Sequence, residues 1–272
     1  MTSPVPHRLR ERIELHLFRN LAAAALRHIP LILCIEGEPG SGKTFAVDAV
    51  AGDSGVKVFS IAGDQLESPN AGYPAQLIRD TYREAGEALR GGALGAALVI
   101  HDIDTALGSW GANVQYTMNR QMVNNALMNL SDSPTIVEGF DTRRVPIILT
   151  GNDFSLLHAP VMRTGRSDLF RWEPTVAERT FVVADILPAG LEGLAEVLVT
   201  NHPTQPVSFF ADAVAFAQNT SLSDAIAKRS LTELLALIRD GHDPIVPPPT
   251  VESILRSAEV LASSRRDSKE AL

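Results

Sequence analysis

The stretch Gly37-Glu38-Pro39-Gly40-Ser41-Gly42-Lys43-Thr44 matches the pattern G-x-x-x-x-G-K-[ST] and decides the fold of this chain. An apolar run at 30–35 precedes it and predicts a buried strand, and residues 44–50 after it predict a helix. In this setting the glycines let backbone N–H groups turn inward around a triphosphate, and the helix N-terminus adds partial positive charge. The sequence therefore predicts a nucleoside triphosphate site.

The residues of this loop have distinct expected roles. We expect Lys43 to reach the β- and γ-phosphates of ATP, and we expect the Thr44 hydroxyl to take one place on Mg²⁺. The residues expected to contact the nucleotide are Gly37, Pro39, Gly40, Ser41, Gly42, Lys43, Thr44 and Phe45.

Composition and charge narrow the class of protein. Hydrophobic residues make up 45% of the 272 residues, which is ample for a globular core. The net charge of −8 argues against a broad nucleic-acid surface, so nucleic acid is not an expected partner. The single Cys34 cannot form an internal disulfide and indicates a buried thiol in a reducing compartment.

The sequence predicts neither a signal peptide nor a membrane span. The N-terminus lacks the basic-then-apolar layout of a secretory signal. No apolar run approaches the ~20 residues that a membrane-spanning helix needs. We therefore expect a soluble cytoplasmic protein without a membrane partner.

Buried strands separated by helices indicate an α/β fold, with a parallel sheet covered on both faces. After about Trp172 helical periodicity dominates, which predicts a small helical lid domain. The expected strands are 30–35, 56–61, 96–100 and 145–150, and the expected helices of the first part are 6–26, one ending at Leu89, and 115–130. The expected domains are 1–172 for nucleotide binding and 173–262 for the lid, with a disordered tail at 263–272.

A carboxylate is expected after the third strand, because open α/β sheets place ligands at the strand ends. The candidates are His101, Asp102 and Asp104. In one register His101 takes the magnesium position and Asp102 is the catalytic base. In the other, Asp102 faces the magnesium and Asp104 is the base. The first register fits the strand length better, although histidine is a poor Mg²⁺ ligand and leaves the ion mainly to Thr44, phosphates and water. Simple helix capping by the aspartates is the alternative.

Further catalytic candidates follow the fourth strand. Asn152 is placed to orient the attacking water or the γ-phosphate, with a plain turn residue as the alternative. Arg163 and Arg166 come shortly after it and suit an arginine supplied across a subunit interface, where it stabilises charge on the transferring phosphoryl group. A P-loop, a strand-end acid, a sensor asparagine and trailing arginines before a helical domain resemble the plan of AAA+ ATPases, which typically work as rings.

Several longer stretches resemble one AAA+ family, Rubisco activase. They are DQLESPNAG at 64–72, QYT at 115–117, QMVN at 121–124, VPIILTGNDFS at 145–155, AP at 159–160, GR at 165–166 and FRW at 170–172. Phe209-Phe210 and the helix at 250–261 keep the same order, so the resemblance runs from about residue 9 to residue 262.

This resemblance implies a hexameric ring that uses ATP to remodel inhibited Rubisco and to release tight-binding sugar phosphates. It supports the register with Asp102 as the catalytic acid, and it implies that Arg163 and Arg166 act in trans. The loop 70–73 would face the central pore with Tyr73, and Trp110 would lie on a second pore loop. Ordinary packing is the alternative for both aromatic residues.

Departures from the family leave other targets open. We expect no counterpart of the family's N-terminal domain or of its cysteine-bearing tail. Where the family has the lid stretch FFGALRAR, residues 209–216 read FFADAVAF, so the sensor-2 arginine is missing. Either Lys228 or Arg229 replaces it, or lid closure is less tightly tied to nucleotide. Three hypotheses follow: a remodeller of Rubisco or of another protein assembly, an ATP-dependent ring scaffold with weak hydrolysis, and a nucleic-acid loader.

Overall fold

The chain divides after Glu173 into two units, Met1–Glu173 and Pro174–Leu272. The computed structural model describes residues 3–22, 28–68, 70, 72–107, 114–241 and 248–270. Among these residues, no helix is both long enough and apolar enough to cross a bilayer.

A five-stranded parallel sheet forms the centre of the first unit. Its strand order is β2-β3-β6-β1-β7, and each neighbouring pair runs parallel. The strands are β1 Ile32–Glu36, β2 Val56–Ala62, β3 Gly95–His101, β6 Ile147–Gly151 and β7 Ser167–Arg171, and a small antiparallel hairpin is formed by β4 Ile136–Val137 and β5 Phe140–Asp141. Register aligns Glu36 with Gly151 and Ala62 with His101, so these strands end at one edge.

Helices cover both faces of this sheet. They are α1 His7–Leu21, α2 Lys43–Asp53, α3 Tyr73–Arg90, α4 Ile103–Leu107 and α5 Val114–Asp132, with short 3₁₀ turns at Gly63–Leu66 and Phe154–Leu156. Helix α1 ends earlier than the expected residue 26, and residues 23–27 lie outside the described part of the chain.

Two cores explain why the strands are apolar along their whole length. Alternate residues of a strand point to opposite faces. Ile32 and Cys34 accordingly pack in the core beneath α3 and α5, whereas Leu33 and Ile35 pack in the core beneath α1 and α2. The expected α/β unit with a doubly covered parallel sheet is confirmed.

The second unit is helical, as expected. Its helices are α6 Val176–Ile186, α7 Leu194–Asn201, α8 Val207–Lys228, α9 Leu231–Arg239 and α10 Val251–Glu270. Its core is built around Phe209 and Phe210 of α8 and Ile254 of α10. Capping boxes at Thr175 and Ser230 satisfy backbone N–H groups where α6 and α9 begin.

Helix α10 extends into the segment 263–272, where the sequence predicts a disordered tail. Helix α10 continues through residue 263 and ends at Glu270. The hydroxyls of Ser263 and Ser264 donate to the carbonyls of Glu259 and Val260 one turn earlier, which satisfies these polar groups within the helix. The charged composition of residues 265–270 suits a solvated helix as well as a coil, so composition alone does not separate the two.

A buried histidine ties α1 to the edge of the sheet opposite the strand ends. His16 Nε2–H donates to the Ile147 carbonyl at 3.0 Å, and Asn20 Nδ2 lies 3.4 Å from His16 Nδ1. Asn20 Oδ1 in turn accepts from Arg144 Nε at 2.9 Å. These partners fix a neutral imidazole that is protonated on Nε2. Burial lowers the pKa of His16 from 6.5 to about 3.

His16 should make the first unit less stable in mild acid. Between about pH 6.5 and pH 3 the unfolded chain binds a proton that the folded chain does not, so the free energy of unfolding falls as the pH falls. At pH 5 this residue should cost about 2 kcal/mol relative to neutral pH. Urea unfolding followed by tryptophan fluorescence measures the loss. In His16→Gln, which does not titrate, the loss should be smaller by that amount, and equal losses in both proteins would contradict the assignment.

Candidate active site

The glycine-rich loop lies where the sequence places it, between the end of β1 and the start of α2. Gly40 and Gly42 have φ angles of 73° and 85°, in the left-handed region where glycine carries no steric cost. Gly42 is also the N-cap of α2. The loop therefore turns its backbone toward the N-terminus of an eleven-residue helix, as an anion site requires.

Trp172, which follows β7, contacts the loop and fixes its position. The Trp172 indole Nε1–H donates to the Ser41 carbonyl at 3.0 Å, and the Trp172 backbone N–H donates to the Glu36 carbonyl at 2.6 Å. A Cβ at Gly37 would overlap the Trp172 carbonyl oxygen. Glycine is thus required at 37 by close backbone packing.

The Lys43 side chain makes several hydrogen bonds within and beside the loop. Its ammonium donates to the carbonyls of Gly37 and Glu38 at 2.7 and 2.9 Å, and to Asn152 Oδ1 at 3.1 Å. Burial lowers the pKa of Lys43, while the charges of Asp102 and Asp104 act in the opposite direction. A buried ammonium in a cluster of acceptors is chemically suited to a phosphate.

Other groups of the loop fit a nucleotide. The Ser41 hydroxyl oxygen is buried and has no hydrogen-bond partner among the described residues. Thr44 is partly exposed, and the Phe45 side chain is 53% exposed on the first turn of α2. The loop therefore offers an unused hydroxyl and an open aromatic face.

A cation would need ligands from the nucleotide. In the described ranges no group of three or more His, Cys, Asp or Glu side chains could hold a metal by itself. Oxygen donors of the loop and the acidic segment include the Thr44 hydroxyl and the Asp102 carboxylate, and hard oxygen ligands of this kind suit Mg²⁺. The donor set fits a magnesium ion that is completed by phosphates and water.

His101 ends β3 and is turned toward α2. Its Nε2 lies 3.5 Å from Asp48 Oδ1, and its Nδ1 lies 3.4 Å from the Thr150 hydroxyl. The imidazole is therefore occupied by protein partners on both sides. With both ring nitrogens facing protein groups, His101 at the magnesium position of the first register would leave the ion to Thr44, phosphates and water.

Asp102 turns sharply out of the sheet. Its φ of 50° is unusual for a residue other than glycine, and its backbone N–H donates to the Thr150 hydroxyl at 3.2 Å. Its side chain is exposed. The turn presents the carboxylate to solvent at the strand edge, next to the loop.

The turn of Asp102 is packed against the end of β2. A Cβ at Gly63 would overlap the Asp102 carbonyl oxygen. That carbonyl also accepts hydrogen bonds from the Thr105 backbone and hydroxyl at 3.0 and 2.8 Å. Gly63 opens the 3₁₀ turn that precedes the segment carrying Tyr73. The start of this 3₁₀ turn and the turn at Asp102 are therefore in direct contact.

Asn152 follows β6 and meets Lys43 and Asp104. Asp104 Oδ2 accepts from the Asn152 backbone N–H at 3.0 Å and from its side-chain Nδ2 at 3.1 Å. The structure thus joins Asn152 to the loop and to the acidic segment. Simple helix capping does not account for Asp104, whose described hydrogen bonds go to another strand end.

The two trailing arginines differ. Arg166 makes a bidentate ion pair with Asp132 at the end of α5, at 2.8 and 2.7 Å, and also donates to the Pro160 carbonyl. Arg163 is exposed, and its guanidinium has no hydrogen bond or ion pair with any residue in the described ranges. Neither arginine bonds to the loop of its own chain within those ranges, so Arg163 is the better placed of the two to reach another subunit.

The segment before α3 is clamped by α5. Asn119 Nδ2 donates to the Ser68 carbonyl at 2.6 Å, and Asn119 Oδ1 accepts from the Gly72 backbone N–H at 3.2 Å. Tyr73 follows and is 51% exposed. Pro69, Ala71 and Trp110 lie outside the described residues.

The lid carries no arginine at the position that the resemblance predicts. The residues aligned with the two arginines of FFGALRAR are Val214, which is buried in the lid core, and Phe216. Lys228 ends α8 twelve residues after Phe216, which is about 18 Å along a helix. Within the lid, Lys228 and Arg229 therefore cannot occupy the position of the missing arginine.

Sequence reasoning missed the partners that hold these groups. Asp48 and Asp132 are distant in the chain from the residues that they contact, and nothing in their local sequence marks them. Trp172 belongs to the stretch FRW that carries the family resemblance, but that stretch does not indicate its hydrogen bond to Ser41. For Asp104 the sequence indicated only a base or a helix cap. The one available signal for its contact with Asn152 was that both residues follow neighbouring strands.

Residues 33–174 match the ATPase family associated with various cellular activities (AAA). The chain is also similar to proteins named ribulose bisphosphate carboxylase/oxygenase activase. Identity to that of Anabaena sp. is 40% over 221 residues, covering 78% of this chain and 53% of the relative. Identity to that of Nostoc sp. is 38% over 238 residues, covering 84% and 57%.

A plant relative extends the similarity along the chain. Identity to the chloroplastic activase 1 of Nicotiana tabacum is 35% over 271 residues, covering 95% of this chain and 61% of the relative. The chain therefore spans about half to three-fifths of the length of these relatives. The predicted resemblance to Rubisco activase is confirmed.

Proposed function

Because the chain belongs to the ATPase family associated with various cellular activities, we propose that it hydrolyses ATP and uses the energy to remodel a folded protein, with Rubisco as the target. The observation that carries the proposal is the junction of Lys43 with Asn152 at 3.1 Å, which joins the phosphate-binding loop to a polar residue of the neighbouring strand end. A loop that only binds nucleotide would not require a polar side chain from the end of the neighbouring strand.

In the proposed reaction, the loop 37–44 and Phe45 hold ATP, and Lys43 exchanges its carbonyl partners for phosphate oxygens. Thr44 and Asp102 would hold Mg²⁺, which neutralises charge on the phosphates. Asp102, exposed beside the loop, also serves as the base that accepts a proton from the attacking water. Asn152 orients that water.

We further propose that the active unit is a homo-oligomeric ring, with six subunits as in the family's usual plan. Arg163 is exposed and unpaired in the described part of the chain, which supports a role at the site of a neighbouring subunit. Arg166 supports the loop that carries Arg163 through its ion pair with Asp132. Charge on the transferring phosphoryl group would attract the guanidinium.

Rubisco is proposed as the protein partner because the relatives that cover most of the chain carry the activase name. Tyr73 is the proposed contact with the remodelled protein, since a large aromatic side chain is half exposed beside a clamped segment. The cytoplasm is the proposed location, because the buried thiol of Cys34 suits a reducing compartment.

The test combines phosphate release with recovery of Rubisco activity. Purified protein is supplied with ATP and Mg²⁺, with and without Rubisco blocked by a tight-binding sugar phosphate, and its mass is measured in ATP. We expect a ring, phosphate release and restored carboxylation, with Asp102→Asn as the control that binds ATP and restores nothing. A ring that hydrolyses ATP and leaves Rubisco blocked would reject the target. Assembly without phosphate release would indicate a scaffold.

A further inference from the structure

The amide of Asn152 can adopt only one orientation in this site. Asp104 Oδ2 lies 3.1 Å from Asn152 Nδ2, and Lys43 Nζ lies 3.1 Å from Asn152 Oδ1. A carboxylate only accepts hydrogen bonds, and an ammonium only donates them. A flipped amide would therefore set oxygen against oxygen and NH₂ against NH₃⁺.

We propose that Asp104 is a positioning residue that fixes this polarity, so that Asn152 acts in hydrolysis as a hydrogen-bond acceptor for the attacking water. The inference rests on the proposed ATPase function. Phosphate oxygens are acceptors and cannot bond to Asn152 Oδ1, whereas a water molecule can donate to it. With Nδ2 held by Asp104, the oxygen is the end of the amide that faces the phosphate-binding lysine.

The placement of Asp104 is closely determined. It lies on the first turn of α4, directly after the fully buried Ile103. A Cβ at Gly151 would come within 2.9 Å of Asp104 Oδ1, so a larger residue there would push the carboxylate away from its present position beside β6. Asp104 Oδ1 is buried without a partner in the described ranges, and the hydrogen bonds described for this side chain all go to Asn152.

The charge of Asp104 strengthens the arrangement. Hydrogen bonds to an ionised acceptor are roughly twice as strong as neutral ones, and here one carboxylate oxygen receives both the backbone and the side-chain donor of Asn152. The same charge opposes the effect of burial on Lys43. Asp104 thus supports the lysine and the asparagine together without belonging to the phosphate-binding loop.

An exchange of the two side chains tests the polarity. Asn152→Asp places two carboxylates face to face and should lower kcat by about 10²-fold or more. Asp104→Asn should lower it by about tenfold. In the double variant, which combines the two substitutions, the new amide at position 104 donates to the new carboxylate at position 152. The second oxygen of that carboxylate again faces Lys43, so kcat should rise at least about tenfold above that of Asn152→Asp.

If Asn152 instead donates to the γ-phosphate, the double variant will be as inactive as Asn152→Asp, and the proposal fails. KM for ATP should change less than about threefold in Asp104→Asn, because the loop is intact. The matched control is Asp185→Asn, which neutralises an exposed carboxylate of the lid and should leave kcat unchanged.

A measurement without nucleotide separates this inference from the proposed function. In protein labelled with ¹⁵N-asparagine, the side-chain NH₂ signal of Asn152 is assigned by its loss in Asn152→Asp. Asp104→Ala should shift that signal and accelerate its hydrogen exchange, while Asp185→Asn should not. An unchanged signal would overturn the inference even if the wild type hydrolyses ATP. If Asp104→Ala shifts the signal but the wild type releases no phosphate, the proposed function is overturned while the role of Asp104 in orienting the amide stands.

Discussion

Arg163→Ala is expected to lower ATP turnover by about 10³-fold or more while leaving ATP affinity within a few-fold of the wild type. The reason is that this guanidinium is exposed and unpaired in the described part of its own chain, so its removal disturbs no bond there. Phosphate release and binding of a fluorescent nucleotide measure the two quantities. Arg143→Ala, which removes another exposed arginine of the same unit, is the matched control.

Mixing experiments decide whether Arg163 acts across an interface. Arg163→Ala subunits keep an intact loop and base, and Asp102→Asn subunits keep the arginine. Mixed rings should therefore hydrolyse ATP at sites that combine the two intact halves. Turnover that stays at the sum of the two separate proteins would count against a shared site.

Arg166 provides a contrast within the same experiment. Arg166→Ala breaks the ion pair with Asp132 and the hydrogen bond to the Pro160 carbonyl. It should therefore loosen the segment 160–166, which carries Arg163, as well as lower turnover. Asp132→Asn should then reproduce part of the turnover loss of Arg166→Ala, because the ion pair no longer holds the segment that carries Arg163. If Asp132→Asn leaves turnover unchanged, the ion pair does not position Arg163.

Lys43→Ala should weaken ATP binding by about 10²-fold or more and abolish hydrolysis. The substitution removes the buried ammonium and leaves the carbonyls of Gly37 and Glu38 without their donor. Titration calorimetry with ATP measures the affinity. Lys57→Ala, which removes a lysine stacked on Phe59, is the matched control.

A second variant separates loss of charge from loss of packing. Lys43→Met keeps most of the side-chain length in the same buried space but carries no donor. It should bind ATP as poorly as Lys43→Ala while unfolding at a higher temperature. ATP affinity within about threefold of the wild type in either variant would refute the role of Lys43.

The fold could be predicted from the sequence because its main signals are local. The strand before Gly37 and the helix after Lys43 are adjacent in the chain, and fully buried strands such as β3 have no polar alternation to confuse the pattern. The tail predicted at 263–272 overlaps the end of helix α10, because the residues after 263 have a composition that suits both coil and solvated helix.

The site could be predicted only where one residue type implies one chemistry. Lys43 and Asn152 come from motifs, and their meeting follows from the rule that strand ends share an edge. The partners Asp48, Asp132 and Asp104 depend on which helix turn faces which strand. Hydrophobic periodicity does not specify that to within one hydrogen bond. For the same reason the sequence did not distinguish the exposed Arg163 from the paired Arg166.

The contact between Gly63 and the turn at Asp102 has a mechanical meaning. The two backbone segments are packed without a gap, because the carbonyl of Asp102 already occupies the space that a side chain at 63 would need. Any movement of that turn by a few tenths of an ångström must be taken up by the end of β2, which leads to Tyr73 through the 3₁₀ turn at Gly63–Leu66. A displacement of the turn at Asp102 would then reach the segment before Tyr73 through direct backbone contact, without any intervening side chain.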